Sequence, residues 1–221
     1  MELTSRLHAF LWTLSGANNC NTYLIRSEKN ILIDPGHAAH FDHVRRQLKD
    51  LELTEQDIDL IICTHAHPDH MEAVTLFQDT PALFAIHAAE WRLVREMAAY
   101  LRTAMDVEPQ RFEPDFFLEE GDLTLGDIRL KVYHTPGHAP GAVTLLWPES
   151  RALFTGDLIF KDGLGRTDLP GGDSEDLKQS IRRMASMDVA WLLPGHGDVI
   201  SGAASVKANF EQVERMWFAY L

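Results

Sequence analysis

The chain has 221 residues and a mass of 25.0 kDa, enough for a sizeable core without disulfide staples. Apolar residues at 45% and charged residues at 24% exclude a disordered, fibrous or membrane-spanning chain. Lys plus Arg number 20 against 33 Asp plus Glu, and the net charge of -13 disfavours nucleic acid and anionic membranes as partners. In chain order, Leu7 to Leu14, Cys20 to Arg26 and Asn30 to Asp34 alternate like strands. The polar turn Ser27-Glu28-Lys29-Asn30 joins the last two, and Asp34-Pro35-Gly36 ends the third. Phe41, Val44, Leu48 and Leu51 repeat at helical spacing, and Ile58 to Cys63 reads as a short buried strand. That strand runs into the polar cluster Thr64-His65-Ala66-His67-Pro68-Asp69-His70. The pattern predicts a helix after His70, a strand at Leu83 to Ile86, and a long helix over Ala88 to Met105. Trp91, Val94, Met97, Ala98 and Leu101 share one face of that helix. Ile128 to His134, Ala142 to Trp147 and Ala152 to Thr155 read as strands divided by Pro/Gly turns. Asp173 or Ser174 caps a helix with the stripe Leu177, Ile181 and Met184. Trp191 to Leu193 is a strand ending in Pro194-Gly195-His196-Gly197, and Ala203, Val206, Phe210, Val213 and Trp217 line a last helix. No linker or repeat divides the chain, so one domain over residues 1–221 is expected, with 203–221 a C-terminal helix packed on it. The absence of strict βαβ alternation favours two β-rich halves, each covered by helices, over a doubly wound parallel sheet.

Cys20 and Cys63 cannot build a disulfide framework and form no CxxC pair. With no secretory signal pattern at the N-terminus, the reading is a cytoplasmic protein. The 11 histidines are placed unevenly. His65, His67 and His70 crowd one loop with Asp69, His138 follows Thr135-Pro136-Gly137, Asp157 follows Thr155-Gly156, and His196 follows Pro194-Gly195. Each of these four segments comes directly after an expected strand, so a folded sheet can bring them to one edge. Metal binding requires such convergence, because ligands must lie within about 2.0–2.2 Å of the ion. An HxHxDH string arises by chance in about one of several hundred such chains. Imidazole and carboxylate without thiolate suit Zn, Fe or Mn. Seven ligands exceed one tetrahedral ion and fit two ions sharing an aspartate. A water between two such cations is largely deprotonated near neutral pH, which points to hydrolysis of an activated carbonyl or ester. His8, His40, His43, His87 and His134 lie outside the polar cluster and read as packing residues. His37 is unassigned. Asp34 reads equally as a turn residue or as a partner that orients a ligating histidine.

In order and spacing, His65, His67, Asp69, His70, His138, Asp157 and His196 resemble the HxHxDH and distant His, Asp and His of the metallo-β-lactamase superfamily. The resemblance covers nearly the whole chain. It implies an α/β fold in a four-layer αββα sandwich. It also implies that His65, His67 and His138 hold one metal, Asp69, His70 and His196 a second, and that Asp157 bridges them. The segment Gly163-Leu164-Gly165-Arg166-Thr167-Asp168 with Leu169-Pro170-Gly171-Gly172-Asp173 is similar to the glyoxalase II and persulfide dioxygenase branch. Two departures stand out. Met71-Glu72-Ala73 follows the motif where the family usually has a glycine, and Leu164 stands where glyoxalase II often has Cys. The first alters the expected substrate access.

The resemblance implies a compact glyoxalase II-like hydrolase that uses two divalent ions, Zn first and Fe or Mn otherwise. Asp69 and Asp157 are its expected catalytic carboxylates, and its substrate is a small anionic thioester such as S-lactoylglutathione. Two ions with a hydroxide and two aspartates leave the site at about +1, so an acidic chain can still take an anionic substrate. Arg166 is a candidate for the substrate carboxylate, with pairing to Asp168 or Asp173 as its structural alternative. The competing activities are a mononuclear iron persulfide dioxygenase, a lactonase or other ester hydrolase of the same fold, and a metal-binding protein without turnover. No nucleic-acid or membrane partner is expected, and the chain reads as a monomer or homodimer, with Trp217 and Phe218 in helix packing or a dimer contact.

Overall fold

The computed structural model describes residues 1–104 and 108–221. Two compact units appear, Met1–Leu118 and Glu119–Leu221, and each is a sheet with its own helices. The first unit carries β1 (Glu2–Thr4), β2 (Leu7–Phe10), β3 (Thr22–Arg26), β4 (Asn30–Ile33), β5 (Leu60–Ile62), β6 (Leu83–His87) and β7 (Phe116–Leu118), paired in that order. β1 to β4 pair antiparallel, whereas β4 to β7 run parallel. Parallel neighbours need crossovers. These are α1 (Asp42–Asp50), α2 (Pro68–Met71) with a 3-10 segment over Glu72–Phe77, and α3 (Ala88–Glu96) with α4 (Ala98–Ala104). Ile31, Leu32, Ile33, Leu60, Ile61 and Ile62 are all buried, the unbroken apolar run expected of parallel strands covered on both faces. Phe41, Val44 and Leu48 of the α1 region pack into the same core with Phe77 and Val94.

The second unit carries β8 (Gly121–Leu125), β9 (Ile128–His134), β10 (Val143–Trp147), β11 (Ala152–Gly156), the short hairpin β12 (Ile159–Phe160) and β13 (Gly163–Leu164), α5 (Ser174–Ala185), β14 (Trp191–Pro194), β15 (Ile200–Ser201) and α6 (Ala203–Trp217). Its main sheet has the order β15-β14-β11-β10-β9-β8. β9 and β11 both pair antiparallel with β10, and β14 pairs parallel with β11. The C-terminal ends of β9, β11 and β14 therefore share one edge. Asp173 caps α5, its Oδ1 accepting from the N–H groups of Glu175 and Asp176 at 2.9 Å each. The expected stripe Leu177, Ile181 and Met184 is buried with Val206, Phe210 and Val213 of α6. Burying each such side chain contributes roughly 1.5–3 kcal/mol.

Several expected elements differ. The long helix over Ala88 to Met105 breaks at Met97, whose ψ of 7° ends α3, and α4 restarts at Ala98. No Gly or Pro marks that break; Met105 lies outside the described residues. The helix expected after His70 starts at Pro68, because proline at a first helical position has no N–H to lose. Asp69 and His70 thus sit on the helix, not in the loop. The strand expected over Leu7 to Leu14 stops at Phe10, where the Asn21 side chain takes the Trp12 N–H at 2.9 Å and diverts the chain from the ladder. Trp217 does not join the buried stripe of α6: it is 41% exposed and donates its indole N–H to the Asp162 carbonyl at 2.8 Å. The strands β1, β7, β8, β12, β13 and β15 were not expected from the sequence pattern; most are edge or short pieces with too few residues to show a period. No described helix is long and apolar enough to cross a membrane.

Candidate metal centre

In open sheets with parallel strands, sites form beyond the carboxyl ends of the strands. In the first unit β4, β5 and β6 deliver Asp34, the run from Thr64 to His70, and His87 to that edge. Asp34 is 2% exposed and adopts φ of +53°, an uncommon conformation that turns its carboxylate back across the strand ends. Its Oδ1 accepts from the Thr64 N–H at 2.7 Å; its Oδ2 accepts from the Thr64 hydroxyl at 2.7 Å and from His70 Nδ1 at 2.9 Å. Asp34 is thus the partner of a motif histidine, the orienting reading of the two.

These bonds fix tautomers. A carboxylate can only accept, so His70 carries its proton on Nδ1 and presents the Nε2 lone pair. The single Thr64 hydroxyl proton goes to Asp34, so Thr64 Oγ1 accepts from His65 Nδ1 at 3.1 Å, which places the His65 lone pair on Nε2 as well. The His65 ring lies 4.7 Å from that of His67 and 4.1 Å from that of His70, centroid to centroid. Ligand atoms of His65 and His67 lie within 4.8 Å of each other, as do those of Asp69 and His70. His67 is the N-cap of α2, and its carbonyl accepts from the His70 and Met71 N–H groups. Asp69 is 8% exposed, and its Oδ2 accepts from Asn18 Nδ2 at 2.8 Å.

The second unit gathers His138, Asp157 and His196, which follow β9, β11 and β14 at their shared edge. His138 Nδ1 donates to the Arg166 carbonyl at 2.7 Å, again directing the Nε2 lone pair outward. His138 Nε2 lies 3.5 Å and His196 Nε2 lies 3.4 Å from the same oxygen, Asp157 Oδ2. Gly165 underlies this set: a Cβ there would collide with the Asp157 carbonyl and reach His138 Cγ at 3.1 Å. Gly137 has φ of +134° and presses on the Leu177 backbone, which seats the His138 loop against α5. The Arg166 guanidinium forms two bonds to Asp168, at 2.6 and 2.7 Å, the pairing named as its structural alternative.

The remaining histidines behave as packing and capping groups. His87 caps α3 by accepting the Ala89 N–H, His134 Nε2 lies 3.0 Å from the Pro140 carbonyl, and His40 and His43 pack their rings on Trp12. Burial lowers the His8 and His43 pKa values below the ordinary histidine value. Burial also pushes the Cys63 thiol well up, so it offers no thiolate beside the motif. Glu72, in the Met71-Glu72-Ala73 stretch that departs from the family pattern, turns its carboxylate to His37 Nδ1 at 2.9 Å and to the Ala38 N–H at 3.0 Å. The His37 contact is the main cause of its lowered pKa. Sequence reasoning missed Asn18 and also Glu90, a carboxylate 0% exposed whose Oε2 accepts from the Ala66 N–H at 2.7 Å. The available signal for Glu90 was an acid in the first turn of a helix that follows a strand; Asn18 left none.

The metallo-β-lactamase superfamily model matches residues 15–196. A probable metallo-hydrolase of Methanocaldococcus jannaschii is 33% identical over 193 residues, covering 81% of this chain and 88% of that protein. The hydroxyacylglutathione hydrolase GloC of Haemophilus influenzae is 29% identical over 203 residues, 86% of this chain and 91% of its own length. The crystal structure of the protein TTHA1623 in a di-iron-bound form superposes with a TM-score of 0.71 at 30% identity, covering 91% of this chain and 95% of that one. The chain belongs to the metallo-β-lactamase superfamily, has its fold, and is a metal-dependent hydrolase of that class.

Proposed function

We propose that this chain is a thioester hydrolase of the glyoxalase II type with two divalent metal ions. In this reading His65, His67 and His138 hold one ion, Asp69, His70 and His196 hold the second, and Asp157 serves both. The observation that carries it is the pair of imidazole nitrogens 3.5 and 3.4 Å from one Asp157 oxygen. Bonds of about 2.0–2.2 Å at tetrahedral angles set neighbouring ligand atoms about 3.3–3.6 Å apart, so this donor set fits a metal. Imidazole and carboxylate donors suit Zn, Fe or Mn. When bound, such ions supply a Lewis acid for a carbonyl oxygen and a nucleophilic hydroxide near neutral pH.

The chain's own residues orient that chemistry. Asp34 and the Arg166 carbonyl hold the outer protons of His70 and His138, and Asn18 holds one oxygen of Asp69. Glu72 stays ionised beside His37 and is no proton donor. None is needed, because a departing thiolate has a conjugate acid of pKa about 8.5. The GloC relative supports a hydroxyacyl thioester of glutathione as substrate, and the cationic balance of a loaded site suits that anion. The test is turnover of S-lactoylglutathione against lactone and persulfide substrates, with and without oxygen, after Zn, Fe or Mn reconstitution. Thioester cleavage independent of oxygen is expected; thiol-dependent oxygen uptake with a single iron contradicts it.

A further inference from the structure

We infer that Glu90 is a positioning residue for the His65-Ala66-His67 segment, an inference that rests on reading those two histidines as metal ligands. The topology places it there. β5 and β6 are parallel neighbours, with Ile62 opposite Ala85, and the Cys63 N–H continues the ladder to the Ala85 carbonyl at 3.1 Å. Chain leaving β5 toward the two histidines therefore runs beside chain leaving β6 into α3. His87 caps that helix, and Glu90 stands in its first turn, where the helix dipole favours a carboxylate. Glu90 is 0% exposed, and its Oε2 accepts from the Ala66 N–H at 2.7 Å.

The Ala66 peptide lies between the two histidines, so its orientation sets the angle between their Cα–Cβ directions. Without that acceptor the half-buried Ala66 N–H loses its partner, and the segment would rotate to find another. Glu90 reaches from the helix to the loop, so the place of its acceptor oxygen sets the Ala66 peptide. Partners that orient ligands typically alter metal affinity 10–100-fold when removed.

Two substitutions separate length from charge. Glu90→Asp keeps the charge but withdraws the acceptor by one carbon–carbon bond; Glu90→Gln keeps the length and an acceptor oxygen. Zinc affinity of the full chain, measured by chelator competition, should fall about tenfold or more in Glu90→Asp and stay within about threefold of wild type in Glu90→Gln. Melting of the metal-free chain provides the control, since a merely structural role lowers it without changing zinc affinity. A loss below tenfold in Glu90→Asp, or an equal loss in Glu90→Gln, overturns the inference. Wild-type chain that takes up no zinc contradicts the proposed ligand set itself, a separate result.

Discussion

The two half-sets of candidate ligands are built in opposite ways. In the first unit four ligands occupy six consecutive positions, and side chains from distant segments hold them: Asn18 on Asp69, Asp34 on His70 and Thr64, Glu90 on Ala66. In the second unit three ligands come from three strand ends, and backbone holds them: the Arg166 carbonyl on His138, and parallel pairing of β11 with β14 beside Asp157 and His196. A compact motif has little backbone freedom left to aim each donor, so it relies on side-chain partners. Ligands spread over parallel strand ends are aimed by the sheet, and their requirement is close backbone approach at glycine.

This contrast predicts a graded series of losses. Replacing a candidate ligand in either set, Asp69→Ala or Asp157→Asn, should lower thioester turnover by about 10³-fold, a loss of several kcal/mol of transition-state stabilisation. Equal activity in either variant would remove that set from the site. Asp34→Asn comes next. Asparagine tolerates the positive φ of this position, so the backbone stays in place, but its one acceptor oxygen cannot replace both carboxylate oxygens, and its NH2 then faces a donor of Thr64 or His70. Zinc affinity should fall about 10–100-fold, and metal-free melting should fall with it, because a buried donor of Thr64 or His70 loses its acceptor. In the second unit Gly165→Ala should instead act through the fold, costing about 1–3 kcal/mol in urea unfolding, because the added Cβ meets the Asp157 carbonyl.

The smallest effect lies away from both sets. Arg183 pairs with Glu120 through two bonds of 2.8 Å and holds its carboxyl at about 2. A lowered folded-state pKa gives stability that is present above the unfolded value and lost as pH falls through about 2. The pair is about half exposed, so Glu120→Gln should cost less than about 1 kcal/mol at neutral pH, and the difference from wild type should vanish as the pH approaches 2. A gap that persists in acid would assign the contribution to packing.

The same contrast explains what the sequence made legible. The candidate ligands of the first unit are readable because His65, His67, Asp69 and His70 form one string, yet their supports are scattered and chemically ordinary. Asp34 stood out only by its place before Pro35-Gly36, Glu90 is one polar position of an expected helix, and Asn18 lies between two expected strands. The candidate ligands of the second unit were readable because each follows a strand, and β9, β11 and β14 do share an edge. Gly165 was visible as part of a glycine-rich segment, but its contact with Asp157 depends on a backbone path no local pattern encodes. The break at Met97 was hidden for a similar reason: the helical period continues through it, and only the backbone turn there ends α3.

The central claim is that both sets serve one pair of ions. Metal analysis of the zinc-reconstituted chain after exhaustive dialysis tests it directly. The account predicts two zinc ions per wild-type chain and one in His196→Ala; a single ion in wild type, or two retained in His196→Ala, would contradict it.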